Sequence, residues 1–110
     1  MVRTYYNKLV RDKIPDIIRQ QGNHPEYHTA NDIVEYCQAL REKILEEAIE
    51  FKESQDVNEL IDVLEAIYCL IETENLDFTK IEELREKKNV ERGSFKKRII
   101  LEYVIRKATK

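Results

Sequence analysis

The sequence contains few residues that interrupt regular secondary structure. Its 110 residues include two glycines, two prolines and two cysteines, and tryptophan is absent. A β-sandwich of this length needs more turn residues, so the composition favours helices. Cys37 and Cys69 stand apart without CxxC spacing, which argues against a disulfide framework or a thiolate metal site. We interpret both cysteines as reduced packing residues.

Long apolar runs are also missing. No stretch approaches the roughly 18 apolar residues of a membrane span, and residues 1–15 hold no apolar run typical of a signal sequence. We therefore expect a cytoplasmic protein without a membrane partner. The length predicts a single domain over residues 1–110.

Charged residues, in contrast, make up 37% of the chain and are segregated. Residues 1–21 carry five basic and two acidic groups, residues 22–84 carry four and seventeen, and residues 85–98 carry seven and two. An acidic middle thus lies between basic ends. Because this middle would repel a phosphate backbone, we expect no nucleic-acid partner.

Apolar periodicity predicts four helices. Residues 12–21 form a short one, with Pro15 in its first turn. A long amphipathic helix runs from about residue 32 to about residue 53, and a third runs to about residue 74. The fourth covers residues 77–91 and stops near a glycine suited to a left-handed cap.

The predicted fold class is therefore all-α, with a core of three or four helices. The short break at residues 54–56 makes the second and third helices an antiparallel hairpin. The tail RIILEYVI, residues 98–105, is apolar and rich in β-branched residues. It is typical of a short strand, paired with residues 2–6, or of a docking segment.

Four carboxylates lie beside the apolar faces of this hairpin. At about 100° per residue, Glu47 falls about 60° from Ile44, on the shoulder of the apolar stripe, and Glu50 falls about 120° away. Glu59 and Asp62 also flank apolar neighbours on the next helix. Measured from the turn, Glu50 and Glu59 are equally distant, as are Glu47 and Asp62. Each pair is therefore expected at one height.

Such a grouping is costly without a cation. Two like charges about 4 Å apart near a protein surface repel by roughly 4 kcal/mol. Carboxylate oxygens without histidine or thiolate suit a hard divalent ion, Mg²⁺ or Mn²⁺. The alternative is structural: the acids are solvated, Lys43 pairs with Glu47, and Asp56 forms a capping box with Glu59.

The basic ends offer candidate phosphate ligands. Residues 85–98 carry a net charge of +5 around Gly93 and include Lys88, Arg92 and Lys96. A phosphate-binding loop is one interpretation, and a solvated basic face or a nucleic-acid contact are the others. Arg11, with Lys8 and Lys13 beside it in the sequence, either reaches a ligand or pairs with the acidic middle. Tyrosines of the N-terminal segment and the following loop stack on a base or pack against the protein.

Together these residues form a familiar pattern. The motif EExxE at Glu46, Glu47 and Glu50, followed by ExxD at Glu59 and Asp62, resembles the MazG-like all-α nucleoside triphosphate pyrophosphohydrolases. The flanks YNKLVRDKIP and KKNVERGSF resemble its phosphoribosyl-ATP pyrophosphohydrolase-like, house-cleaning branch. The likeness extends over nearly the whole chain, from about residue 6 to about residue 95.

This resemblance implies Mg²⁺-dependent hydrolysis of a nucleotide between its α- and β-phosphates, releasing a nucleoside monophosphate and pyrophosphate. It implies that Glu47, Glu50, Glu59 and Asp62 are the metal ligands, with Glu46 as a further ligand or the base that orients water. By the same resemblance, Lys88, Arg92 and the backbone of Gly93 contact phosphates. It also implies a homodimer or homotetramer that packs hairpins into a four-helix bundle.

Two alternatives stay open at the level of sequence. One is a phosphoribosyl-ATP pyrophosphohydrolase of histidine biosynthesis. The other is a non-catalytic helical module that binds nucleotide or only dimerises. The eight residues between the two acidic motifs, shorter than in many members of the family, leave little loop to read a base. Base recognition must therefore come from another segment, such as the N-terminal one, or from a neighbouring subunit.

Overall fold

The computed structural model describes residues 2–108, and that part of the chain is all-helical, with four helices and no strand. The helices are α1 (Ile14–Gln20), α2 (Ile33–Ser54), α3 (Val57–Thr73) and α4 (Phe78–Arg92). The predicted all-α class is confirmed. Of the two alternatives for residues 98–105, the short strand is wrong, because these residues have no helix or strand, and the docking segment stays a prediction. A strand needs a neighbouring strand for its backbone hydrogen bonds, and residues 2–6, the expected partner, form no strand.

The first helix, Ile14–Gln20, is shorter than the predicted residues 12–21, but its proline and glycine lie where the sequence predicts. Pro15 lies in the first turn of α1, where its missing N–H leaves no helical hydrogen bond unmade. Gly22 follows the helix with φ +84°, a left-handed conformation that other residues rarely adopt. The ion pair between Arg19 and Asp16, 2.7 Å, lies on the exposed surface of this helix.

Side-chain caps set the bounds of the two longer helices. The Asp32 carboxylate accepts a hydrogen bond from the Glu35 N–H, 2.8 Å, at the start of α2. Gln55 ends α2 in a left-handed conformation, φ +58°. Asp56 then caps α3 by accepting from the Asn58 N–H, 2.9 Å.

The capping box considered for α3 does not form. In a capping box, the side chain of Glu59 would accept a hydrogen bond from the backbone N–H of Asp56. That N–H donates instead to the Ser54 hydroxyl, 3.0 Å. The Glu59 carboxylate is therefore available for contacts with α2.

The buried residues lie where α2 and α3 pack against each other. Cys37 and Leu40 of α2 and Ala66 of α3 are the buried apolar residues of the described chain. An ion pair of 2.7 Å joins Arg41, early in α2, to Glu74 at the end of α3. Larger apolar side chains of both helices stay substantially exposed, among them Leu45, Ile49, Leu60, Ile61 and Leu64.

The chain divides into two compact units, one extending to Asp77 and one beginning at Phe78. The second unit contains α4, which ends at Arg92 and is followed by Gly93 at φ +82°. Gly93 is thus the left-handed cap that the sequence predicts. No helix within residues 2–108 is both long enough and apolar enough to cross a membrane.

Candidate functional site

Five carboxylates from α2 and α3 gather in the first unit. We call Glu46, Glu47, Glu50, Glu59 and Asp62 the carboxylate cluster. It consists of two groups, Glu46 with Glu47 and Glu50, and Glu47 with Glu59 and Asp62. In each group, one oxygen from every residue lies within 4.8 Å of the others. Glu47 belongs to both groups, so it stands at the centre of the cluster.

Glu47 is also the charged residue that the described chain buries. It is 4% exposed, and its Oε1 accepts a contact of 3.0 Å from the Lys43 ammonium. None of the described residues donates a hydrogen bond to its Oε2. A buried carboxylate oxygen without a donor is unfavourable, because it has lost hydration and gained nothing in return. Such an atom needs a proton or a cation.

Glu59 is placed to supply such a proton. Its pKa is raised to about 7, first because a proton on Glu59 can be shared with Glu47, then through burial and through the negative charges of Glu50, Glu47 and Asp56. Ionising every member of the cluster is therefore unfavourable near neutral pH. A positive ion among these oxygens would remove that cost.

Both carboxylate oxygens of Glu46 have a lysine partner, whereas among the described residues only Oε1 of Glu47 has one. Lys8 donates to Glu46 Oε1 at 2.8 Å and Lys43 to Glu46 Oε2 at 3.3 Å. Partial burial alone would raise the pKa of Glu46, but the hydrogen bonds from Lys8 and Lys43 outweigh it and hold the pKa below its ordinary value. Both oxygens are occupied and their basicity is reduced. Glu46 is consequently a poorer proton acceptor than an unpaired glutamate.

Residues 7–11, which we call the N-terminal strap, bring two cations to the cluster. Lys8 reaches Glu46 of α2, and Arg11 reaches Asp62 of α3 through Nη2 at 2.7 Å and Nε at 3.2 Å. Asn7, directly before Lys8, has φ +47°, a left-handed conformation that asparagine accepts more easily than most residues. The strap thus contacts acids on both helices.

The strap ion pairs are surface contacts. The side chains of Lys8 and Arg11 are 38% and 55% exposed. Ion pairs of this kind contribute roughly 0.2–1 kcal/mol each. They moderate the charge at the rim of the cluster, but they do not reach Glu47 Oε2.

The cluster has the chemistry of a hard cation site. Oxygens bound to one Mg²⁺ at 2.0–2.1 Å lie at most about 4.2 Å apart, so each group would need only a small contraction. The donors are carboxylate oxygens, without imidazole or thiolate in either group. Glu47 Oε2 supplies a buried oxygen that no described residue satisfies. The residues therefore fit Mg²⁺ or Mn²⁺.

The sequence predicts that Glu50 lies level with Glu59, and Glu47 with Asp62, along the two helices, and the structure reproduces this only in part. Glu47 and Asp62 belong to one group, as their equal distance from the turn predicts. No group within residues 2–108 contains both Glu50 and Glu59. The charge of Glu50 nevertheless contributes to the raised pKa of Glu59.

The second unit contains a basic cleft. Its volume is about 370 Å³, and it is lined by Arg85, Lys88, Asn89, Arg92, Gly93, Ser94 and Phe95. The guanidinium of Arg85 is paired with Glu82 at 2.9 Å. No described acidic residue forms an ion pair with Lys88 or Arg92, which are four residues apart on one face of α4. These two side chains are the ones available to an anion.

Three of the predicted phosphate ligands, Lys88, Arg92 and Gly93, thus line one cleft, whereas Lys96 is not part of its lining. A β-carbon built on Gly93 meets nothing within 4 Å. The glycine is required by its positive φ rather than by a close approach within the protein. Arg11 lies in the strap, paired with Asp62, as one of its two predicted alternatives states.

Sequence reasoning did not foresee the contact between Lys8 and Glu46. The two residues are 38 positions apart, and no local pattern connects them. The basic character of the N-terminal segment was the available signal. It indicated cations near acids without indicating which pairs form.

Comparison of the chain with known protein families, with curated proteins and with solved structures finds no match in any of the three.

Proposed function

We propose that this protein hydrolyses a nucleoside triphosphate, canonical or modified, to a nucleoside monophosphate and pyrophosphate, using Mg²⁺ held by the carboxylate cluster. The observation that carries the proposal is the buried Oε2 of Glu47, which no described residue satisfies, at the centre of carboxylates from two helices. The resemblance of the two acidic motifs to MazG-like enzymes names the reaction.

In this proposal, Glu47, Glu50, Glu59 and Asp62 are the metal ligands, Glu50 through the group that also contains Glu46, and Glu59 and Asp62 through the other group. Glu47 is the ligand common to both groups of oxygens. When bound, Mg²⁺ would lower the pKa of a coordinated water and neutralise charge on the phosphates. Lys43, at 3.0 Å from Glu47 Oε1, keeps that carboxylate oriented.

The reaction is a hydrolysis of the α,β-phosphoanhydride. A water oxygen attacks one of the two phosphorus atoms, and the bond from that phosphorus to the bridging oxygen breaks. One water proton passes to a carboxylate of the cluster. Since Glu46 is held by two lysines and is a weak base, the acceptor in this proposal is a carboxylate oxygen of the cluster that does not itself bind the ion.

Each of the two units contains, by itself, basic or aromatic residues suited to contact a nucleotide. Lys88, Arg92 and the backbone of Gly93 form a cleft suited to phosphate oxygens. Tyr6 is largely exposed, and its ring centre lies 5.8 Å from the Lys8 ammonium. An exposed ring beside the strap is suited to stack on a nucleobase.

We also propose that α2 and α3 act as an antiparallel hairpin that pairs with a second copy. Leu60, Ile61 and Leu64 of α3, with Leu45 and Ile49 of α2, are about half exposed or more. Several large apolar side chains exposed on two packed helices are typical of an interface. Size-exclusion chromatography with light scattering tests this: a dimer or tetramer is expected, and Leu64→Glu should shift it toward the monomer. A monomeric wild type contradicts the assembly.

The decisive test is a product assay. Purified protein is incubated with Mg²⁺ and a panel of canonical and modified triphosphates and phosphoribosyl-ATP, and products are identified by mass. Release of monophosphate and pyrophosphate supports the proposal, and preference for phosphoribosyl-ATP favours the biosynthetic alternative. Metal-dependent stabilisation without product indicates a binding module instead. A sample prepared with EDTA is the control.

A further inference from the structure

We propose that Lys8 and Arg11 are substrate-binding residues that neutralise the rim of the carboxylate cluster in the free protein and transfer to phosphate oxygens when a complex of divalent cation and polyphosphate binds. This inference rests on the proposed function and specifies its ligand. The site would recognise the cation together with its polyphosphate, rather than the cation alone.

The positions of Lys8 and Arg11 favour a role in phosphate binding. Lys8 contacts Glu46, which belongs to one group of the cluster, and Arg11 contacts Asp62, which belongs to the other. Glu47, common to both groups, receives neither cation. The strap therefore places two positive charges beside the cluster and leaves Glu47 Oε2 without a hydrogen-bond donor. That is the arrangement needed to hold an anion that itself binds the ion.

The charge balance of the carboxylate cluster also favours phosphate binding by Lys8 and Arg11. The cluster has five carboxylates, and Lys8, Arg11 and Lys43 are the cations paired with them among the described residues. Fully ionised, the ensemble carries two uncompensated negative charges, which one divalent ion neutralises. A polyphosphate adds further negative charge beside the carboxylates. Lys8 and Arg11 are the cations placed to accept it, because Lys43 is largely buried between Glu46 and Glu47.

The ion pairs of Lys8 and Arg11 with carboxylates are weak enough to be exchanged for contacts with phosphate. Lys8 and Arg11 are paired at the surface, where solvent screening makes an ion pair weak. Both hydrogen bonds from Arg11 converge on Asp62 Oδ1, so the guanidinium is not engaged in the two-oxygen geometry it prefers. A phosphate group offers that geometry. Moving from carboxylate to phosphate therefore exchanges a weak contact for a stronger one.

A competing role for the strap makes a different prediction. If Lys8 and Arg11 only occupy the place of the metal, their removal should tighten binding of both the bare cation and the cation–polyphosphate complex. If they bind phosphate, their removal should spare the bare cation and weaken the complex. The two ligands thus separate the roles.

The experiment is calorimetric titration of wild type, Lys8→Gln and Arg11→Gln. Each is titrated with Mn²⁺ alone and, in saturating Mg²⁺, with a nucleoside triphosphate analogue whose α,β-bridge is methylene. The control is Arg41→Gln, which removes an equally short ion pair between α2 and Glu74, a residue outside the cluster. Thermal melting verifies that each variant is folded, and Arg11→Lys, which keeps the charge, replaces Arg11→Gln if the latter unfolds.

We expect Mn²⁺ affinity to be equal to or above that of wild type in both strap variants, with analogue affinity falling about tenfold or more, equivalent to about 1.4 kcal/mol. Arg41→Gln should change neither. Analogue affinity that is unchanged or increased in the strap variants overturns this inference alone, as does a parallel loss of Mn²⁺ affinity. A wild type that binds no Mn²⁺ overturns the proposed function as well.

Discussion

Glu47 and Glu59 lie on consecutive helices, and their carboxyl groups are close enough to share a proton. Glu47 is buried with an oxygen that no described residue satisfies, and Glu59 has a pKa raised to about 7. Under the proposed function, a proton and a divalent cation would compete for this pair. The predictions below follow from that competition and from the contacts around it.

Replacing Glu47 should weaken metal binding and at the same time stabilise the metal-free protein. Because Glu47 belongs to both groups of oxygens, Glu47→Gln should abolish Mn²⁺ binding and turnover. In EDTA, the same variant should be more stable than wild type by about 1 kcal/mol, since it removes a buried charge from a repulsive group while Lys43 keeps its contact with Glu46. Metal titration and thermal melting measure both effects. Glu42→Gln, an exposed acid on the same helix, should change neither, and a destabilised Glu47→Gln would contradict the repulsion.

The metal-free protein should lose stability as pH rises through the raised pKa of Glu59. The folded state keeps a proton on Glu59 up to a pKa of about 7, whereas the unfolded chain releases it near 4.5. The folded state therefore binds more protons in this window, and stability falls as pH increases across it and levels above it. Melting temperatures in EDTA, with wild type compared to Glu59→Gln, measure this term. Parallel pH curves for the two proteins would refute it.

The basic cleft should affect substrate binding more than chemistry. Lys88→Gln and Arg92→Gln each remove a cleft cation that no described acid pairs with. We expect KM to increase roughly tenfold with little change in kcat, because each loses about one charge-assisted hydrogen bond. Lys87→Gln, next in sequence but not in the cleft lining, is the matched control. An equal effect at Lys87 would show that only general positive charge matters.

Tyr6 should distinguish a nucleotide from bare polyphosphate. Tyr6→Ala should weaken binding of the triphosphate analogue by roughly tenfold through lost stacking, while inorganic triphosphate binds as before. Tyr5→Ala, which alters a neighbouring exposed ring, serves as the control. If both ligands weaken together in Tyr6→Ala, the ring supports the strap rather than the base.

The helix bounds could be predicted because their signals are local. Asp32 and Asp56 cap their helices with side-chain oxygens, and Pro15, Gly22 and Gly93 occupy the positions that fit their backbone restrictions. A test of this local control is Asp32→Ala, which should lower the free energy of unfolding by about 1 kcal/mol in chemical denaturation. Asn31→Ala should have little effect, since Asn31 contributes its backbone N–H to the contact with Glu35.

The non-local features could be predicted only in part. Periodicity placed Glu47 on the shoulder of the apolar stripe, but its near-complete burial depends on how α3 packs against α2. The capping box at Asp56, part of the structural alternative, does not form because the Ser54 hydroxyl accepts the hydrogen bond from the backbone N–H of Asp56. The apolar, β-branched tail suggested a strand, and without a pairing partner it forms none.

Diffraction from crystals grown with Mn²⁺, with data collected at the manganese absorption edge, tests the central claim most directly. We expect an anomalous peak within about 2.3 Å of Glu47 Oε2, with further ligands from Glu50, Glu59 or Asp62, and no such peak in Glu47→Gln. A wild-type map without manganese at Glu47, with these carboxylates directed into solvent, would contradict it.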